Sequence, residues 1–125
     1  MIDPAILCAF IDVESSFVRG AFLNDRSGGS YGLTQLDLAT AEDRGYKGTA
    51  LGLYDPLTNI TFFCKHIAWL TAELTKAEKY SVENLAAAYN SGLNHVLGGG
   101  SDPAYSAKIS AALAKWTAAL TQEPH

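Results

Sequence analysis

The chain has 125 residues, 48% of them hydrophobic and 18% charged, the balance of a folded domain long enough to bury its own core. Its net charge of −4, with nine scattered basic residues, argues against general polyanion binding, which requires a basic stripe. No stretch has the apolar length of a membrane span. No basic region precedes the first apolar run, so the protein is expected to have lost an export signal or to reach its target without one.

Three segments open with the same pair: Asp3-Pro4, Asp55-Pro56 and Asp102-Pro103. Asp is a good helix N-cap and Pro suits the first helical position, so each pair predicts a helix start. The first helix is expected from Pro4 to about Arg19, stopping before Gly20. A short helix is expected at "LATAEDRG", ended by Gly45. The helix from Pro56 carries Ile60, Phe63, Cys64, Ile67, Leu70 and Leu74 at helical spacing. "SVENLAAAYNSG" predicts a helix capped by Ser81 and closed by Gly92. The helix from Pro103 turns Ile109, Leu113, Trp116 and Leu120 inward.

"NDRSGGSYG" and "LGGGS" read as loops. No segment sustains period-two alternation, so sheet is expected to be small or absent. There is no internal repeat and no dividing linker. The prediction is one all-α domain over 1–125, compact, with five to seven helices. Cys8 and Cys64 are too far apart in sequence for a metal-ligand cluster and are expected to be unlinked thiols. His66, His95 and His125 are too dispersed to hold a metal, and no cofactor is expected.

Glu14, in "FIDVESSF", is the residue that a purely structural reading does not require. On a helix it falls at the centre of the apolar stripe Leu7, Phe10, Ile11, Phe17 and Val18, away from the solvated face where Glu usually lies. A Glu there has a buried partner, with Arg19, Arg26 and Arg44 as candidates, or it has a chemical task. Apolar packing would penalise its charged form and raise its pKa, which suits a general acid near neutral pH. Three other stretches add polar groups: "GSYGLTQLD" with Gln35, "DPLTNI", and "AAAYNSG" with Tyr89 and Asn90. An acid, two amides and a phenol suit a neutral ligand rich in hydroxyl and amide groups, namely a sugar chain.

Each residue also has a structural reading. Asn90 can be a plain helix C-terminal residue and Tyr89 a core residue. Asp25 and Asp37 fit a loop turn and a cap, and Thr40-Ala41 and Asn59-Ile60 fit packing and capping positions.

Taken in order, Glu14-Ser15, "GSYGLTQL", Thr40-Ala41, "LYDPLTNI" and Ala88-Tyr89-Asn90 followed by Gly92 resemble the soluble-type lytic transglycosylases. Their relatives the goose-type lysozymes share the same lysozyme-like helical fold. The resemblance runs from about Pro4 to Trp116. It implies that the partner is the glycan of peptidoglycan at the bacterial cell wall and that Glu14 is the catalytic acid. By the same resemblance Gln35 and Asn90 bond sugar acetamido and hydroxyl groups, Tyr89 fixes or polarises Glu14, Ser15 lines the cleft, and Tyr31 and Tyr105 form sugar-stacking walls. No nucleic acid or membrane span is implied, and a monomer is expected.

Two features depart from, or extend, the pattern. Thr34 stands where the family usually has Met, which is expected to change the cleft. Asp25 and Asp37 lie where goose-type lysozymes place acids. They keep open a muramidase that positions water with one of them. A non-catalytic glycan-binding or virion structural domain is the reading outside the enzymes. The short acidic chain also suits a phage-encoded lysis enzyme or a domain of a longer protein.

Overall fold

A computed structural model describes residues 2–25 and 28–122. Among them are six α-helices: α1 (Pro4–Ser15), α2 (Leu38–Asp43), α3 (Pro56–Lys76), α4 (Val82–Ser91), α5 (Leu93–Leu97) and α6 (Pro103–Leu120). A 3₁₀ turn spans Ala50–Tyr54, and two short strands, β1 (Phe22–Leu23) and β2 (Ser30–Tyr31), pair antiparallel with Phe22 opposite Tyr31. The fold is mostly α, as expected. Arg26 and His125 lie outside the described residues.

The Asp-Pro starts hold, with two kinds of cap. Asp3 accepts from the Ala5 amide (2.9 Å), and Asp55 from the amide and hydroxyl of Thr58 (3.0 and 2.9 Å). Ser81 accepts from the Asn84 amide at 3.0 Å, and Gly92, at φ 98°, closes α4. Asp102 differs: its carboxylate accepts from Asn90 and Ser91 at the end of α4.

The first helix is shorter than its periodicity suggests. It stops at Ser15, because Ser16 and Phe17 adopt left-handed backbone (φ 52° and 63°) without a glycine. Beyond that break helical spacing has no meaning. Phe17 and Val18 are accordingly 46% and 55% exposed rather than packed around Glu14. Leu120, expected inside, is also exposed, as α6 runs on past its last buried contact at Ile109.

Contacts divide the chain into two units: Met1–Phe10 with Ile67–His125, and Ile11–His66. In the first, Ala5, Ala9, Phe10, Ile67, Leu70, Leu74, Leu85, Val96 and Ile109 are buried. There α4 packs on α5 and α6, and the Ser106 hydroxyl donates to the Glu83 carbonyl at 2.8 Å. In the second, Leu36, Ala41 and Leu53 form a cluster onto which Tyr31, Leu38, Tyr46 and Phe62 pack. Tyr46 meets Phe62 edge-on, centroids 5.2 Å apart, and its hydroxyl donates to the Thr49 carbonyl at 2.7 Å. Cys8 and Cys64 are not joined by a disulfide.

Candidate active site

Glu14 occupies the last turn of α1 and is half-buried, following the buried Phe10 and Ile11 by four and three residues. The next residue fixes where that turn points. Ser15 is buried, and its hydroxyl donates to the Leu33 carbonyl at 2.7 Å, with the Ile11 carbonyl also within reach at 3.2 Å. The end of α1 is thereby bonded to the "GSYGLTQL" segment. This bond ties the residue after Glu14 to the turn that carries Gln35.

That turn is closed at its base by reciprocal backbone bonds between Tyr31 and Leu36, 3.0 and 3.1 Å long. Inside it, Gly32 and Gln35 take left-handed backbone, at φ 75° and 55°. Glycine is obligatory at position 32, since a Cβ there would lie 2.7 Å from both Asn59 Nδ2 and the Leu53 carbonyl oxygen. The Gln35 amide nitrogen donates to the carbonyls of Ala21 and Gly32, both at 3.1 Å. Its NH2 group therefore holds the turn, and its amide oxygen is the group it can offer a ligand.

Beneath the turn lies Asn59, fully buried on α3. Its Oδ1 accepts from the Thr34 amide (3.0 Å) and hydroxyl (2.7 Å), and its Nδ2 donates to the carbonyls of Tyr31 and Leu53 (both 2.8 Å). One side chain thus ties together the turn, the 3₁₀ segment and α3. Thr34, expected to alter the cleft, is instead fully buried and spends its hydroxyl on this network. The sequence pattern suggests only a packing or capping position for Asn59 and does not reveal this tie. The available signal was a polar residue at helical spacing from Phe63 and Ile67.

The two aspartates have structural duties. Asp37 caps α2 by accepting from the Thr40 amide at 2.7 Å, and Asp25 accepts a short hydrogen bond from the Ser30 hydroxyl. Tyr31 is half-buried, with Phe22 on one side (centroids 5.1 Å) and Tyr54 on the other (5.4 Å).

The remaining candidates belong to the other unit. Tyr89 is half-buried and meets the Phe10 ring edge-on at 5.3 Å. Asn90 is exposed. Its Nδ2 donates to Asp102 Oδ2 at 2.7 Å, and the Ser91 hydroxyl donates to the same oxygen at 2.8 Å. These two bonds hold the Asp102 carboxyl below its usual pKa. Tyr105 lies half-buried in the first turn of α6.

Among the described residues no group of three or more His, Cys, Asp or Glu is placed to hold a metal ion. His66 is instead a stability element. Burial, reinforced by the Arg44 charge and opposed by Asp37 and Asp43, pushes its pKa down to about 4. The folded state binds that proton more weakly than the unfolded chain, so stability is lost as pH falls from 6.5 towards 4. The loss levels off at no more than about 3 kcal/mol. Chemical denaturation at pH 7 and pH 4.5 checks this, with His66→Gln expected to lose less stability on acidification than the parent.

The family model described as "Transglycosylase SLT domain" matches residues 1–111. The chain belongs to this family. No curated protein and no solved structure matches it. SLT domains cleave peptidoglycan, so the substrate is peptidoglycan and the place of action is the bacterial cell wall. Among the described residues no helix is long and apolar enough to cross a membrane. The SLT match runs from α1, with Glu14, through the "GSYGLTQL" turn and Asn59 to Tyr89 and Asn90.

Proposed function

We propose that this SLT domain is a lytic transglycosylase that cleaves the MurNAc-β-1,4-GlcNAc bond with Glu14 as its general acid and base. The supporting observation is the placement of Glu14: a half-buried carboxylate on the last turn of α1, clamped through Ser15 to the turn that carries Gln35. A carboxyl group that is to give and then retake a proton must be held in register with the bond it breaks.

Glu14 gives its proton to the glycosidic oxygen, and the GlcNAc unit leaves with a free 4-hydroxyl. The carbonyl of the muramic N-acetyl group closes on the anomeric carbon and takes up its positive charge. Glu14, now a carboxylate, removes the proton from the 6-hydroxyl. That oxygen displaces the acetamido oxygen and closes a 1,6-anhydro ring. Glu14 ends protonated, no water is consumed, and no second carboxylate is required.

Gln35 would accept from a sugar N–H or O–H through its amide oxygen. Tyr89 and Asn90 are assigned to saccharide contact by family position alone. The reading treats residues 1–125 as one catalytic domain, which the family match over 1–111 supports. Asp37 is committed to its helix cap and Asp25 to Ser30, which favours the anhydro route over a hydrolysis in which either acid would hold the water.

The test is the product. Mass spectrometry of digested peptidoglycan is expected to find anhydro-muramic ends. Reducing ends would establish a muramidase instead, and retention on insoluble wall without cleavage would establish a glycan-binding domain.

A further inference from the structure

We propose that Phe22, backed by Tyr31 and Tyr54, is a stacking platform for an N-acetyl sugar ring of the glycan strand. The proposal rests on the glycan substrate assigned above but on none of the catalytic roles. Phe22 stands opposite Tyr31 in the strand pair, so both rings lie on one face of the hairpin. Their centroids are 5.1 Å apart with planes tilted by 56°, and Tyr31 meets Tyr54 edge-on at 5.4 Å. Three separate segments, β1, β2 and the 3₁₀ turn, each supply one ring.

The row is graded from core to solvent. Tyr31 packs on the buried Leu36–Leu53 cluster, Tyr54 is half-buried, and Phe22 is 50% exposed. At this exposure Phe22 forgoes much of the stabilisation that full burial of its ring would bring. Its ring nonetheless packs beside Tyr31 and close to the Gly29 backbone. Gly29, at φ 145°, lets the backbone pass so close that an added Cβ would sit 2.8 Å from the Phe22 ring edge and 2.9 Å from the Tyr31 hydroxyl. An aromatic ring backed by two others and half open to water is suited to stacking on a ligand.

The surroundings select the ligand. Residues 20–24 and 28–36 carry no charged side chain, and the neighbouring Asp25 accepts from the Ser30 hydroxyl of β2, a setting that suits a neutral sugar. The apolar C–H face of a pyranose matches an aromatic face, and the Tyr31 hydroxyl is at hand for the ring's substituents. The platform is also continuous with the site: the Tyr31–Leu36 pair closes the turn that carries Gln35 and receives the Ser15 bond beside Glu14.

The experiment is retention on purified insoluble peptidoglycan, measured in the full chain carrying Glu14→Gln so that the wall stays intact. Phe22→Leu, which keeps apolar bulk but removes the ring, is expected to weaken binding about tenfold, whereas Phe22→Trp should bind within twofold of the parent. In the Glu14 form the same Phe22→Leu change should raise KM about tenfold with kcat within twofold. Retention of Phe22→Leu within twofold of the parent overturns the platform, as does equal loss in the Leu and Trp variants. A parent that dimerises in solution through this face, with Phe22→Leu monomeric, also overturns it. Undiminished cleavage by Glu14→Gln would defeat the catalytic assignment, and the KM comparison of parent and Phe22→Leu would then test the platform.

Discussion

Replacing Asn59 by Ala is expected to cost about 4 kcal/mol of unfolding free energy. The side chain is 0% exposed, and four hydrogen bonds converge on it. Truncation removes the side-chain partner of the buried Leu53 carbonyl and of the Thr34 amide and hydroxyl, while the Tyr31 carbonyl keeps only its bond from the Leu36 amide. Each such group loses about 1–3 kcal/mol if nothing replaces its partner, and local relaxation recovers part of the sum. Domains of ordinary stability hold about 5–15 kcal/mol, so the change removes a large share. In a thermal melt the midpoint should fall by roughly 15 °C. Thr34→Val is the graded control. It deletes one hydroxyl at nearly constant volume while the Thr34 amide keeps its bond to Asn59, and about 1 kcal/mol is expected. The double variant should be little worse than Asn59→Ala alone, because the hydroxyl has by then lost its acceptor. A melt of Asn59→Ala within two or three degrees of the parent would refute the tie.

The contrast between Asn59 and Glu14 shows what a sequence discloses. Both are polar residues at helical spacing with buried apolar ones, but only the carboxylate is rare enough on such a stripe to point to a task by itself, whereas an amide there equally fits packing or capping. The bonds of Asn59 to Thr34 span 25 residues, and those to Tyr31 span 28; no local pattern encodes them. Local chemistry was legible. The Asp-Pro starts, the Ser81 cap, the closures at Gly45 and Gly92, and the buried row Phe63, Ile67, Leu70 and Leu74 depend on neighbours within a turn or two. Features too short to show a period were not: the five-residue α5, the 3₁₀ turn and the two-residue strands. The end of α1 was misplaced because its stop is a pair of left-handed non-glycine residues, Ser16 and Phe17, while Gly20 offered the conventional signal. The same error gave Glu14 two apolar neighbours, Phe17 and Val18, that in fact face solvent. Of the stripe expected around it, Phe10 and Ile11 on the helix side are the residues that are buried.

Glu14→Gln is expected to reduce clearing of a cell-wall suspension by at least about a thousandfold while the fold survives. The amide is isosteric, so packing at the end of α1 and the Ser15–Leu33 bond should persist. An amide has no proton to give the glycosidic oxygen and cannot retake one from the 6-hydroxyl, so both halves of the cycle fail together. The unfolding free energy should stay within about 1 kcal/mol of the parent, since a half-buried carboxylate is exchanged for a neutral group of equal size. Glu14→Asp separates chemistry from placement. It keeps an acid of similar strength but withdraws it by one methylene, about 1 Å short of its station, and a misplacement of that size costs about a hundredfold. Activity should therefore fall in the order Glu, Asp, Gln, with wall retention the same in all three. Clearing by purified Glu14→Gln at the parent rate would remove the carboxyl from the mechanism, and with it the reason why a charged group occupies this turn.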